Sequence, residues 1–126
     1  NVGPGFEKGF WLSPTILSGV KQSSRCVQEE IFGPVVTVIP FDSEDEALQL
    51  ANDSRYGLSA TVWTENLPRA QRLAQNLKVG TVWINTWLHR DLRMPFGGMK
   101  HSGIGREGGR HSFEFFTETT TVCVRS

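Results

Sequence analysis

Between residues 35 and 85 this chain alternates between the apolar period of a strand and that of a helix, which restricts its possible folds more than any other feature. Residues 35–41 (VVTVIPF) are a near-continuous β-branched apolar run, the pattern of a strand buried on both faces in a parallel sheet. Ser43 and Glu46 make a capping box ahead of Ala47, Leu48 and Ala51, which predicts a short amphipathic helix closed by Tyr56-Gly57. Residues 59–64 (SATVWT) predict a second strand. Asn66 then acts as N-cap with Pro68 in the first turn, and Ala70, Leu73, Ala74 and Leu77 recur at i, i+3, i+4, i+7. That helix is predicted to end at Gly80, and residues 81–85 (TVWIN) read as a third strand. Strand, helix, strand, helix, strand with connections this short predicts a right-handed βαβαβ unit on a parallel sheet, an α/β fold.

The flanks are less regular. Residues 9–17 (GFWLSPTIL) predict an irregular strand that Pro14 confines to an edge or a break, and residues 18–30 read as a polar loop. Residues 85–109 (NTWLHRDLRMPFGGMKHSGIGREGG) have neither helical nor strand periodicity. Long structureless loops in compact domains are mostly functional or disordered, and the aromatics here argue against disorder. The loop leaves the carboxyl end of the third strand, where ligands bind in open α/β sheets, so it is a candidate site wall. Residues 106–116 can form a short helix, which Gly108 and Gly109 weaken by roughly 1 kcal/mol each. Residues 117–125 (TETTTVCVR) predict a terminal strand that must pair within this chain or with a partner.

Composition removes several function classes. Lys+Arg and Asp+Glu both number 13, so no net field favours nucleic acid or an anionic membrane. No apolar run is long enough for a transmembrane helix. Cys26 and Cys123 are far apart and in no metal-ligand spacing, which fits a reducing, cytoplasmic setting. At 126 residues the chain is at most one domain, and it opens on Asn1 like the middle of something longer, so a fragment with an exposed apolar face is expected.

Among the motifs, Gly103, Gly105 and Gly108 match G-x-G-x-x-G, but no strand precedes them and no acid follows about 20 residues on, so a dinucleotide fingerprint is rejected. His89, His101 and His111 lack second ligands at i+3 or i+4, and no metal site is expected. Cys26 beside Arg25 has no base nearby, and Cys123 reads as a small apolar strand residue. Glu29-Glu30 abuts a buried strand, where an acid needs a partner; a carboxylate there can accept two ribose hydroxyls, and Phe32 can cover a flat ring. Arg90 and Arg93 flank Asp91; spacing alone favours a structural ion-pair cluster over a bidentate grip on a ligand carboxylate.

Four segments together, EEIFGPV (29–35), YGLSATVWT (56–64), GTVWIN (80–85) and PFGGMKHSGIGREGG (95–109), resemble the carboxyl-terminal portion of the aldehyde dehydrogenase family. WLHRDLRMPFGG (87–98) is most similar to its aminomuconate and hydroxymuconate semialdehyde dehydrogenases. The resemblance implies a cysteine thiolate that attacks an aldehyde, hydride transfer to NAD (NADP being left open), and thioester hydrolysis by a glutamate-activated water. Nucleophile, general base and Rossmann segment would lie upstream, leaving this piece inactive alone.

By the same resemblance, Glu30 contacts the nicotinamide ribose, Phe32 positions the nicotinamide, and Phe96 lines the substrate tunnel. Trp87 and Arg90 shape substrate choice, and Glu107 has a proton-relay or structural role. Arg90, where enzymes for simple aldehydes carry a hydrophobic residue, would suit a substrate with a distal carboxylate. Residues 1–116 would belong to the catalytic domain and 117–126 to an oligomerisation strand that builds a homo-oligomer, dimer or tetramer. The rival expectations are a noncatalytic assembly module, and a dehydrogenase for betaine-like or aliphatic aldehydes in which Arg90 is tied up in a structural ion pair.

Overall fold

The computed structural model describes residues 3–6 and 8–126, and the chain divides into two compact units, 1–54 and 55–126. In the first unit, β1 (Thr15–Ser18) follows Pro14 directly and pairs in parallel with β2 (Val35–Val38), Thr15 opposite Val35. The connection carries one helical turn, α1 (Arg25–Gln28). β2 is shorter than the expected 35–41 run because it stops before Pro40, which has no N–H to extend a ladder. Only one face of this pair is covered: Thr15, Leu17, Val35 and Thr37 are half-buried, while Ile16 is 71% exposed. The strand expected to be buried on both faces is therefore open on one.

The helix α2 (Glu44–Asn52) forms where the capping box placed it. The Glu46 amide donates to Ser43 Oγ at 3.2 Å, and the Glu46 carboxylate reaches back to the Asp42 amide at 2.7 Å, one residue beyond the usual partner. Gln22 and Gln28 both donate side-chain hydrogen bonds to the Asp53 carbonyl at 2.8 Å, tying the loop before β2 to the end of α2.

The second unit holds a true βαβ element. β4 (Ser59–Val62) and β5 (Thr81–Ile84) are parallel, Ser59 opposite Thr81 and Val62 opposite Ile84, and α3 (Leu67–Asn76) connects them. The Arg69 amide donates to the Asn66 side chain at 2.9 Å, so the predicted N-cap closes the first turn. Ala70, 1% exposed, sits at the centre of the apolar stripe, and α3 lies against β4. The helix ends at Asn76, before Gly80, because Leu77 turns extended at φ −70°, ψ 125°. Gly80 instead makes room for the long loop. A Cβ there would land on the Gly97 carbonyl oxygen, so the loop backbone packs directly on the start of β5.

Two parallel pairs, β1–β2 and β4–β5, thus stand in place of the single three-stranded βαβαβ sheet that periodicity predicted. Periodicity marks strands without saying which neighbours they take. Tyr56-Gly57, expected to close the preceding helix, is the short strand β3, antiparallel to β6 (Met99–Lys100) from within the long loop. The last helix, α4 (Gly109–Phe116), starts three residues later than expected, Gly108 having φ 98° at its N-cap. Residues 117–126 leave it extended at Thr117 but enter no ladder among the described residues. A lone strand cannot satisfy its own backbone groups, so the expected terminal strand does not form without an edge to pair with.

Candidate functional site

In the first unit, the two acids of the Glu29-Glu30 pair have different fates. Arg25 Nε and Nη2 grip the Glu29 carboxylate in a fork at 2.8–3.1 Å across one helical turn. The Glu29 carboxylate, through this hydrogen bond and its charge, raises the Arg25 pKa. The Glu30 carboxylate has no such partner among the described residues, although it lies on the rim of an open cleft of about 370 Å³. Phe32 lines the same cleft, 93% exposed, with φ 55°. A bulky residue in the left-handed region is an outlier that costs of order 1–3 kcal/mol, and such strain concentrates at ligand sites. A carboxylate beside an uncovered ring fits a ribose diol and a flat heterocycle. Cys26 is half-buried in this cleft wall.

In the second unit, the long loop is fixed by cross-bonds rather than by regular structure. Its departure point is Asn85, at φ 52°, which asparagine tolerates better than most residues. The Asn85 side-chain amide accepts from the Thr64 N–H and donates to the Thr64 carbonyl, both at 2.8 Å, extending the β4–β5 ladder with a side chain. Trp83, 7% exposed, donates from its indole to the His89 carbonyl at 2.9 Å. Arg106 donates to the carbonyls of Gly98 and Gly105 at 2.9 and 2.7 Å, closing the glycine-rich stretch on itself. Sequence reasoning gave Asn85 and Arg106 no role; an asparagine at the end of a strand before an irregular loop is the signal that could have found the first.

Three of the expected site residues meet on this loop. Phe96 and Glu107 form an antiparallel bridge, each amide donating to the other's carbonyl at 2.8 Å. Directly opposed residues in such a pair present their side chains on one face. Arg90 crosses that face: its guanidinium carbon lies 4.0 Å from the centre of the Phe96 ring, and Nη2 donates to Glu107 Oε1 at 3.3 Å. Trp87 stands 69% exposed on the same loop. Arg93 takes Asp91 in a fork, hydrogen-bonding both carboxylate oxygens, and holds the Asp91 carboxyl below its ordinary range. The arginine pair therefore divides: Arg93 belongs to a local ion pair, whereas Arg90 spends one donor on Glu107.

The glycines of the rejected fingerprint have φ 151°, 73° and 98° at Gly103, Gly105 and Gly108, and the Gly108 amide is already taken by Ser112 Oγ at 2.8 Å. His89, His101 and His111 are exposed, Cys123 is exposed outside any strand, and no group of three metal-binding side chains occurs among the described residues. No helix among those residues is long and apolar enough to cross a membrane.

Comparison with known proteins gives this geometry a context. The chain is 56% identical over 119 residues to a 2-aminomuconic 6-semialdehyde dehydrogenase of a Pseudomonas species, covering 94% of this chain and 24% of that protein. It is 60% identical over 117 residues to the 2-aminomuconic semialdehyde dehydrogenase of Danio rerio, covering 93% and 24%. In structure it superposes on a betaine aldehyde dehydrogenase of Staphylococcus aureus solved with NAD+, with TM-score 0.82 and 50% identity, covering 86% of this chain and 21% of that one. The chain thus spans about a quarter of the length of the curated relatives it matches. The pattern of the aldehyde dehydrogenase family runs through residues 1–122, and the chain belongs to that family.

Proposed function

We propose that this chain supplies cofactor and substrate contacts to an NAD-linked dehydrogenase that oxidises a semialdehyde with a distal carboxylate to the corresponding acid. The observation that carries the reading is the first-unit cleft, where Glu30 has no ion-pair partner among the described residues and lies beside a strained, uncovered Phe32. Glu30 would accept hydroxyl hydrogen bonds from the nicotinamide ribose, and Phe32 would limit the freedom of the ring. When bound, the nicotinamide takes up the hydride that leaves the substrate carbon. NADP in place of NAD is open to the same cleft.

For the substrate, Arg90, Phe96 and the exposed Trp87 would form the wall that selects the aldehyde. Arg90 has five N–H donors and gives one to Glu107, so a substrate carboxylate finds donors still free. The semialdehyde dehydrogenases among the relatives support this choice over betaine-like or aliphatic aldehydes. We assign the nucleophile to neither Cys26 nor Cys123; on this reading the 126 residues alone do not turn over aldehyde.

In the whole enzyme, Glu30→Gln should lower kcat/KM for NAD by about tenfold, as expected when a charged acceptor becomes neutral. Steady-state kinetics with NAD varied at saturating aldehyde would show it, and unchanged cofactor kinetics would remove the assignment. Residues 117–125 are proposed as the strand that pairs with another subunit, since they enter no ladder among the described residues. Ending the whole enzyme after residue 116 should lower its mass in light scattering by at least half; an intact oligomer would rule the strand out.

A further inference from the structure

The Glu107 carboxylate accepts from Arg90, and its backbone pairs with that of Phe96. The bridge fixes the Glu107 and Phe96 side chains on one face, a ring and a carboxylate side by side. A guanidinium above them is constrained in two ways at once. The ring holds the guanidinium carbon 4.0 Å above its centre through a cation–π contact, and the carboxylate fixes its rotation through Nη2. Without Glu107 the guanidinium is free to turn over the ring, and a long side chain that is 38% exposed regains much of its rotamer freedom.

We propose that Glu107 is a positioning residue for substrate selection: it holds Arg90 in place over the Phe96 ring, so that the donors Arg90 does not spend on Glu107 are held ready for an anionic end of the aldehyde. This rests on the reading of Arg90 as the carboxylate contact. Its job is to keep Arg90 oriented rather than to carry a proton. The Phe96–Glu107 bridge and the Arg106 bonds to the Gly98 and Gly105 carbonyls brace the loop that carries this support.

The test is a double-mutant cycle in the whole enzyme, reading the ratio of kcat/KM for a carboxylate-bearing semialdehyde to that for an uncharged aldehyde of similar length. Glu107→Ala should lower this ratio about fivefold when Arg90 is present, the size an ion pair at this exposure supports. In an Arg90→Ala background the same change should move the ratio less than about twofold. Glu107→Gln, which keeps an acceptor oxygen and the side-chain shape, should restore part of the ratio and leave the pH profile of kcat in place. An equal loss for both aldehydes, with a shifted pH profile, would make Glu107 a proton carrier and overturn the proposal. So would an equal drop in the ratio with and without Arg90. Should Arg90→Ala alone leave the ratio untouched, the carboxylate reading itself falls, and the proposal with it.

Discussion

Replacing Arg90 by alanine in the whole enzyme should lower kcat/KM for a carboxylate-bearing semialdehyde roughly 30-fold more than for an uncharged aldehyde, since a hydrogen bond to a charged group contributes about 1.5–3 kcal/mol. The loss should fall on KM, because a contact remote from the reacting carbon binds ground state and transition state alike. The competing reading makes Arg90 a purely structural partner of Glu107, and the 3.3 Å contact gives it substance. The two readings part on the substrate panel. A structural pair predicts equal losses for charged and uncharged aldehydes, whereas a substrate contact predicts a selective one. Partial exposure of the guanidinium, 38% for its side chain, keeps it within reach of a ligand.

The largest stability effect is expected at Gly80. The backbone there is not left-handed, so the reason for glycine is purely steric: a Cβ would collide with the Gly97 carbonyl oxygen and lie 3.3 Å from that of Leu58. Both obstacles are backbone, which cannot swing aside as a side chain can. Gly80→Ala should therefore push the loop off β5 at a cost of roughly 3 kcal/mol or more, seen as a large fall in Tm or as loss of soluble protein. Gly19→Ala is the informative contrast. There φ is +69° and nothing lies within 4 Å, so only the conformational cost applies, about 1 kcal/mol. Equal tolerance of the two substitutions would show that the loop does not seat on the start of β5 as described.

Local features translated well from residues to structure. Ser43 and Asn66 cap the helices they were expected to cap, and β4, β5 and α3 lie within the segments that periodicity marked. Each depends on neighbours within four residues, where hydrogen-bond reach and side-chain spacing are set by the chain itself. The misplaced ends have physical causes as well: Pro40 stands just past the end of β2, and the extended backbone at Leu77 ends α3 ahead of Gly80.

By itself, then, the sequence determined the α/β class, the capped helices, the irregular loop from Asn85 and the aldehyde dehydrogenase family. Only the tertiary structure decided that β2 takes β1 as its neighbour, that Arg25 takes Glu29 and not Glu30 as its partner, and that Arg90, Phe96 and Glu107 share one face. The division follows from range. Caps and periods are written within a turn or a strand, but Arg90 and Glu107 stand 17 residues apart, and their meeting depends on a bridge that no local pattern encodes.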